Sequence, residues 1–501
     1  MGADASMSKT DWIIVGGGSA GCVVASRLAN QTDSRRGKVT IIEPPTSSAR
    51  QVDRERPANW LNLLGSGEDW NLATSENPQL ANRILRWPRG RGLGGSSRIN
   101  AMIWFPPTRK DLQMLVEASS GAWSISELQN DLSNLTELIR PEKPAWQSEA
   151  AKRFLFAAKQ LDAGAAWAYK RLNRSGRRWN PAELLSTAQV AGSIQVQRTT
   201  VNRLIFKGDR IIGVETCDDH GKNEILANKG VIICAGAIAT PAILMRSGIG
   251  PRDQLEKIGI EVRLESEQVG QGLQDHLIAP VIFQVRSGRF SSHASVQDIA
   301  RWQTMGTGPL ASNLAECGGL FLQESIQIHV TPTHYLSYPK LTDCAFMTLG
   351  VNATQPQSTG MLQLQSSSPR VPLSIHPHYL QDPSDCDVTI HGMRLARRLV
   401  AETDLSQWIV TETLPGEKRD TDQALERAIS RYSQTLYHPV GTARLGAMSS
   451  SVITPDFRLR GFRQAWVVDA SILPRLPHGN PNATIMLLAF KAANKLRDLV
   501  G

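Results

Sequence analysis

Cysteine is scarce in this chain and never clustered. The six cysteines (Cys22, Cys217, Cys234, Cys317, Cys344 and Cys386) stand far apart, with no Cys-x-x-Cys pair. That spacing argues against zinc ribbons and thioredoxin-like chemistry. A disulfide framework would be sparse over 501 residues, so buried free thiols are the simpler expectation. No apolar run reaches about 18 residues, which argues against a spanning helix. The segment Met1 to Ser6 lacks the basic start and apolar core of a signal peptide, which points to a cytoplasmic protein. Gly2 and Ser6 match the loose myristoylation pattern, but that pattern is short and common enough to arise by chance. Repeats and low-complexity segments are also absent. The formal charge of +9 is spread along the chain, and the pairs Arg177-Arg178 and Arg397-Arg398 are not interleaved with aromatics. A solvated basic surface follows, compatible with a peripheral membrane contact but not with a nucleic-acid site.

The length calls for two domains or one large composite unit. Trp12 to Val15 reads as a short apolar strand, Ser19 to Ala29 as a helix with a small-residue inner face, and Val39 to Glu43 as a second strand. The turn between them is Gly16-Gly17-Gly18-Ser19-Ala20-Gly21, the arrangement a dinucleotide needs. Gly16 permits the tight turn, Gly18 the approach to a pyrophosphate, and Gly21 close packing of helix on strand. Ser19 and Ala20 open the helix, whose free N–H groups and dipole favour phosphate. Glu43 closes the second strand about twenty residues on, where a carboxylate accepts from ribose hydroxyls.

The run Trp87 to Asn100 is rich in Gly and Ser and reads as a wrapping loop whose backbone donors face the cofactor, with Arg89 and Arg91 able to add charge. Residues 194 to 215 alternate like strands around a Lys207-Gly208-Asp209 turn, and 230 to 237 is a buried strand entering a small-residue turn. Pro241 to Arg246 and about Ile390 to Ala401 read as helices. In the last part of the chain, Tyr437-His438-Pro439-Val440-Gly441-Thr442, Val468-Asp469-Ala470-Ser471 and His478-Gly479-Asn480-Pro481-Asn482-Ala483 place a proton acceptor and an amide on separate loops. Each is followed by small residues that let a helix begin close to a bound ring. With the N-terminal glycine turn, this spacing suggests a flavin enzyme.

These motifs together resemble the glucose–methanol–choline (GMC) family of FAD-dependent oxidoreductases over nearly the whole chain. Gly90 to Gln113, with Gly94-Gly95-Ser96-Ser97 and Asn100, is similar to the family's first signature. Gly236 to Gly250 is similar to the second, and Val269 to His276 and Gly308 to Gly319 to further recurrent stretches. The resemblance implies an α/β fold in which a Rossmann-type FAD-binding domain is interrupted by a substrate domain with an antiparallel sheet. The FAD part would comprise 1–110, 190–277 and 431–501, and the substrate part 111–189 and 278–430. It implies noncovalent FAD held by Gly16, Gly18, Ser19, Ala20, Gly21, Glu43, Arg89, Gly94, Gly95, Ser96, Asn100, Val201, Ala235, Gly236, Asp469, Ala470, Asn482, Ala483 and Thr484.

By the same resemblance His438 is the catalytic base and Asn480 hydrogen-bonds the substrate oxygen, because an amide cannot act as a base at neutral pH. Glu316 takes a supporting place near the substrate, His478 is either loop filler or an extra donor, and His276 belongs to a structural Asp-His pair rather than to chemistry. The activity implied is oxidation of a small-molecule alcohol by hydride transfer, with oxygen, a quinone or a dye-like carrier as the second acceptor. Two alternatives stay open: a flavin-retaining lyase of the hydroxynitrile type, and a non-catalytic flavoprotein that binds a partner. The chain departs from the family pattern at Pro44-Pro45-Thr46 after Glu43, and at Ile99, where some members carry a flavin-linked histidine. It departs also at Phe105-Pro106-Pro107 and in the short region from about 140 to 190. Leu436 is one side chain that could gate oxygen.

Overall fold

A buried strand cannot leave its backbone unpaired, and the apolar run Trp12 to Val15 solves this by pairing on both edges. The computed structural model describes residues 8–29, 37–46, 54–186, 192–218, 221–288, 295–337 and 344–498; the Gly2 and Ser6 pattern lies outside them. Strand β1 (Ser8–Val15) runs into helix α1 (Ser19–Ala29) and returns as β2 (Val39–Ile42), parallel to β1. On the other side of β1 lies β3 (Gly221–Ile233), also parallel. Ile194–Gln197 pairs parallel with β2, and Ala465–Val467 with β3. Thr200–Lys207 and Arg210–Asp218 form the expected hairpin, which extends the sheet antiparallel beyond β3. The alternating stretch from Ile194 is therefore split. Its first four residues cross to the far edge of the sheet, where Ile194 and Val196 meet Val39 and Ile41.

Helix α2 (Gly236–Arg246) starts directly behind β3, five residues before the expected Pro241. Proline inside a helix deprives the carbonyl four residues back of its donor. Here that carbonyl, on Ala237, is taken by the Thr442 hydroxyl at 2.6 Å, so the break in the helix ladder fastens the Tyr437–Thr442 loop.

The second sheet is antiparallel. Strands β4 (Leu277–Val285), β5 (Cys317–Phe321), β6 (Ile326–Thr331) and β7 (Ala345–Ala353) lie in the order β4-β7-β6-β5, flanked by Ile409–Leu414 and Gly164–Ala168. One face packs Val281, Phe283, Ile328, Val330 and Leu349 against Phe154 and helix α3 (Pro383–Ala401). That helix begins well before Ile390, because Asp382 caps it and Pro383 suits its first position. The last helix, α4 (Asn482–Asp498), packs on α1, where Arg27 bonds Asn494 at 2.7 Å and lies 4.4 Å from the Phe490 ring centre. Among the described residues no helix is long and apolar enough to cross a membrane.

Candidate active site

Two glycine turns meet at the open end of the parallel strands. Gly16 has φ +97°, and a Cβ there would fall 2.5 Å from the Cys234 carbonyl oxygen; one on Gly21 would fall 2.0 Å from the Gly16 oxygen. Only glycine lets α1 start this close to the sheet. Its first amides, at Ser19, Ala20 and Gly21, have no intrahelical acceptor. The second turn docks on the first: Gly94 N–H donates to the Gly17 carbonyl at 2.7 Å, a Cβ on Gly95 would be 2.8 Å from Gly18 Cα, and the Ser19 and Ser97 hydroxyls meet at 2.6 Å. Ser96 holds the turn closed by accepting from Gly90 N–H at 3.2 Å.

Glu43 does not stand free at its strand end. Its carboxylate accepts from Gly17 N–H at 2.7 Å and Gly92 N–H at 2.9 Å, tying the two turns together, and burial raises its pKa. Arg89 departs from its expected place: its guanidinium donates to the Tyr437 carbonyl at 2.7 Å. The buried Asp275 and Asp69 draw it toward the late loop rather than toward the glycine turns. Arg178, which the sequence marked only as half of an isolated pair, donates to the Ser97 carbonyl and to Asn100 Oδ1, each at 3.1 Å. Its bonds go only to neutral oxygens, and burial lowers its pKa to about 9.

At the other end of the cradle Ala235 caps α2, and Gly236 (φ +85°) has no atom within 4 Å of the place a Cβ would take. Asp469 locks this corner. It accepts from Gly236 N–H (2.9 Å), Thr240 Oγ1 (2.6 Å), Ser471 N–H (2.8 Å) and Ser471 Oγ (2.6 Å), so both oxygens serve the protein frame. The Ala470 carbonyl accepts from Gly441 N–H at 3.2 Å. At the start of α4, beside Ala483, Asn482 Nδ2 and Thr484 Oγ1 are buried with no hydrogen-bond partner among the described residues. Val201 lies buried on the hairpin, opposite Thr216. Two helix N-termini, an open glycine and orphaned polar atoms fit a ligand with phosphates at one end and a hydrogen-bonding ring at the other.

Asp275 builds the corner around His438. Buried, and with its pKa raised by burial, it accepts from Thr435 Oγ1 at 2.5 Å, from His438 N–H at 2.6 Å and from the Tyr379 hydroxyl. Backbone bonds between Gln274 and Val440, at 3.0 and 3.1 Å, complete the clamp. Tyr437 is held at φ +64°, a strained left-handed conformation that turns His438 inward. His438 Nε2 faces Asn480 Nδ2 at 3.1 Å, so the two residues named from sequence are brought together.

His276, expected only as part of a structural Asp-His pair, also contacts His438. Its Nδ1 lies 3.0 Å from His438 Nδ1, and its Nε2 lies 2.9 Å from the Thr354 carbonyl. Nothing in the Asp275-His276 pair signals a contact to a residue 162 positions away. A carbonyl can only accept, so His276 carries its proton on Nε2. Burial lowers its pKa to about 4, so it is neutral and its Nδ1 is a lone pair. His438 must then carry its proton on Nδ1. Burial, followed by the neighbouring His276, pushes the His438 pKa far below its ordinary value, so its Nε2 is also a lone pair, aimed at Asn480.

The Glu316 carboxylate is taken up by the protein itself. It is fully buried and accepts from Ser148 N–H (2.7 Å), Ser148 Oγ (2.6 Å) and Ser312 Oγ (2.5 Å), because a carboxylate buried there needs those donors. His478 donates its N–H to Asp111 Oδ1 at 2.9 Å, and its Nδ1 lies 2.6 Å from the same oxygen, which anchors the loop before Asn480.

Known proteins share this architecture. A family model described as GMC oxidoreductase matches residues 10–278 with its N-terminal part and 356–489 with its C-terminal part. The chain is 30% identical to an uncharacterized GMC-type oxidoreductase of Mycobacterium bovis, over 98% of this chain and 100% of that protein. It is 29% identical to an alcohol dehydrogenase [acceptor] of Pseudomonas putida, over 96% and 95% of the two chains. Among solved structures, pyridoxine 4-oxidase from Mesorbium loti superposes with a TM-score of 0.85 at 26% identity, covering 97% of this chain and 99% of that one.

Proposed function

The chain belongs to the GMC oxidoreductase family, and from that premise we propose that it oxidises the CH–OH group of a small alcohol to an aldehyde or ketone, with His438 as the base. FAD is the cofactor, and when bound it supplies the two-electron acceptor that takes the hydride from the carbinol carbon. The turns at Gly16, Gly18, Gly94 and Gly95 and the first turn of α1 would hold its pyrophosphate, with Glu43 and the Val201 backbone toward the adenosine. Ser96, Asn100, Ala235, Gly236, Asp469, Ala470 and the start of α4 at Asn482 to Thr484 would hold the flavin end. Ile99 offers no nucleophile, so attachment is noncovalent. The parallel sheet and α4 support an FAD part built from 1–110, 190–277 and 431–501, and the antiparallel sheet a substrate part built from 111–189 and 278–430.

The hydrogen-bond chain from the Thr354 carbonyl through His276 and His438 to Asn480 carries the reading. It leaves one imidazole lone pair, on His438 Nε2, at the end of a neutral relay. The alcohol O–H takes the place of the Asn480 donor at Nε2, and the released amide N–H turns onto the substrate oxygen. As the hydroxyl proton moves to Nε2, the Nδ1 proton shifts toward His276, so the positive charge spreads over two rings rather than one buried group. Oxygen, a quinone or a dye-like carrier then accepts the electrons. The test is anaerobic mixing of the FAD-loaded protein with a panel of alcohols, scored by bleaching of the flavin's visible band. Bleaching that reverses with an added acceptor is expected; no bleaching by any alcohol would overturn the proposal.

A further inference from the structure

The second sheet has one face in the hydrophobic core and another that is equally buried but polar. Side chains alternate along a strand, so Ile326, Ile328 and Val330 of β6 enter the core while Gln327, His329 and Thr331 point to the opposite side. Their neighbours on β7 are Asn352 opposite Gln327, Gly350 opposite His329 and Thr348 opposite Thr331. Gln327 and Asn352 are 0% exposed and His329 is 3% exposed. Leaving such a group unpaired is costly. Even so, His329 Nε2, both amide atoms of Gln327, Asn352 Oδ1 and Thr331 Oγ1 have no hydrogen-bond partner among the described residues. The Gln327 amide lies close to the Tyr169 hydroxyl but outside bonding geometry. A whole row of orphaned atoms implies something that completes it.

The row ends at the catalytic corner. His329 is near enough to His438 to depress its protonation, His276 in turn depresses that of His329, and Asn480 Oδ1 is likewise unpartnered among the described residues. One wall is aromatic. The Tyr169 hydroxyl meets His329 Nδ1 at 3.1 Å, Tyr169 and Trp167 lie 6.0 and 5.4 Å from Phe105, and Phe105 packs against Gly479, next to Asn480. A Cβ on Gly318 would fall 2.0 Å from the Tyr169 hydroxyl, so a glycine there makes room for this wall. Among the described residues, the positions that form this face on β6 and β7 carry no carboxylate. The buried acids around it, Glu316, Asp275 and Asp111, are occupied by serines, by the His438 loop and by His478.

We propose that the substrate is an uncharged ring alcohol with at least two hydrogen-bonding groups besides the reacting hydroxyl, bound by Gln327, His329 and Asn352 beside the Tyr169 wall. The inference rests on the alcohol-oxidising reading above. A quaternary ammonium, which the aromatic wall could still attract, and a plain aryl alcohol both lack the groups to pair these amides, and unpaired buried polar groups are the strongest ground on which a site rejects an analogue.

The FAD-loaded protein is mixed anaerobically with a hydroxymethylpyridine bearing a ring hydroxyl, with benzyl alcohol and with choline, and kcat/KM for flavin bleaching is compared. The polar ring alcohol should exceed benzyl alcohol by at least about 100-fold. His329→Leu and Gln327→Leu should each narrow that ratio by about tenfold, whereas His329→Gln should retain most of it. If His329→Leu loses FAD, Asn352→Leu tests the same face. A ratio near one, a preference for choline, or an unchanged ratio in folded, FAD-loaded variants overturns the inference and leaves alcohol oxidation standing. Bleaching by none of the three overturns the inference, and the wider alcohol panel then decides whether alcohol oxidation stands.

Discussion

His329 allows a test of the buried face that needs no substrate. Burial lowers its pKa to about 3, whereas an unfolded chain returns the imidazole to about 6.5. Between those values the unfolded state binds a proton that the folded state refuses. The stability this group contributes is therefore present above about pH 6.5 and is lost as pH falls toward the folded value. At about pH 5 the loss is about 2 kcal/mol relative to about pH 8, and a folded value one unit higher barely changes it. The buried carboxylates Asp275, Glu316 and Asp469, raised by burial, act in the opposite sense: their contribution is present at low pH and lost as pH rises. Wild type must therefore be compared with His329→Gln, which cancels them. Urea unfolding at the two pH values should show wild type losing about 2 kcal/mol more than the variant, with about one extra proton taken up on unfolding at about pH 5. Parallel losses would refute a buried neutral His329.

Other consequences follow from the same geometry. His276→Ala removes the acceptor of His438 Nδ1–H, and flavin reduction by an accepted alcohol should slow by about 10- to 100-fold with FAD content unchanged; rapid-mixing spectroscopy reads both. Asp275→Asn swaps an acceptor oxygen for a donor among three clamping bonds, and should cost about 2–4 kcal/mol in denaturant unfolding. Gly236→Ala puts a methyl into the open corner at positive φ. The purified protein should stay folded by circular dichroism while its flavin-to-protein ratio falls. Arg178→Gln removes the clamp on Ser97 and Asn100 and should weaken FAD binding by about tenfold or more in a fluorescence titration of the reconstituted protein.

The parts of this molecule legible in its sequence are those written in short-range pattern. The β1–α1–β2 unit follows from an apolar run, a glycine turn and a second apolar run, and α1 spans Ser19–Ala29 as expected. Helix starts were less legible. Proline marks a break, but whether the helix begins before it depends on a donor such as Thr442, far along the chain. The same holds in the site. His438 and Asn480 stand on loops with telling neighbours, whereas His276 acquires its place only through a bond across 162 residues. Glu316 shows the converse, since its partner Ser148 lies 168 residues away. The polar face does have a sequence signal: Ile326-Gln-Ile-His-Val-Thr331 alternates strictly, the mark of a strand with one apolar and one polar face. The departure at Phe105-Pro106-Pro107 coincides with the aromatic wall, which is why the substrate could not be read from the family pattern.

The central claim is that His438 Nε2 takes the alcohol proton. Anaerobic single-turnover flavin reduction in wild type and His438→Gln, each at full FAD occupancy and with the same alcohol, tests it most directly. The account predicts a fall of at least about 100-fold in the limiting rate of the variant, with little change in substrate affinity. Equal limiting rates in the two proteins would contradict it.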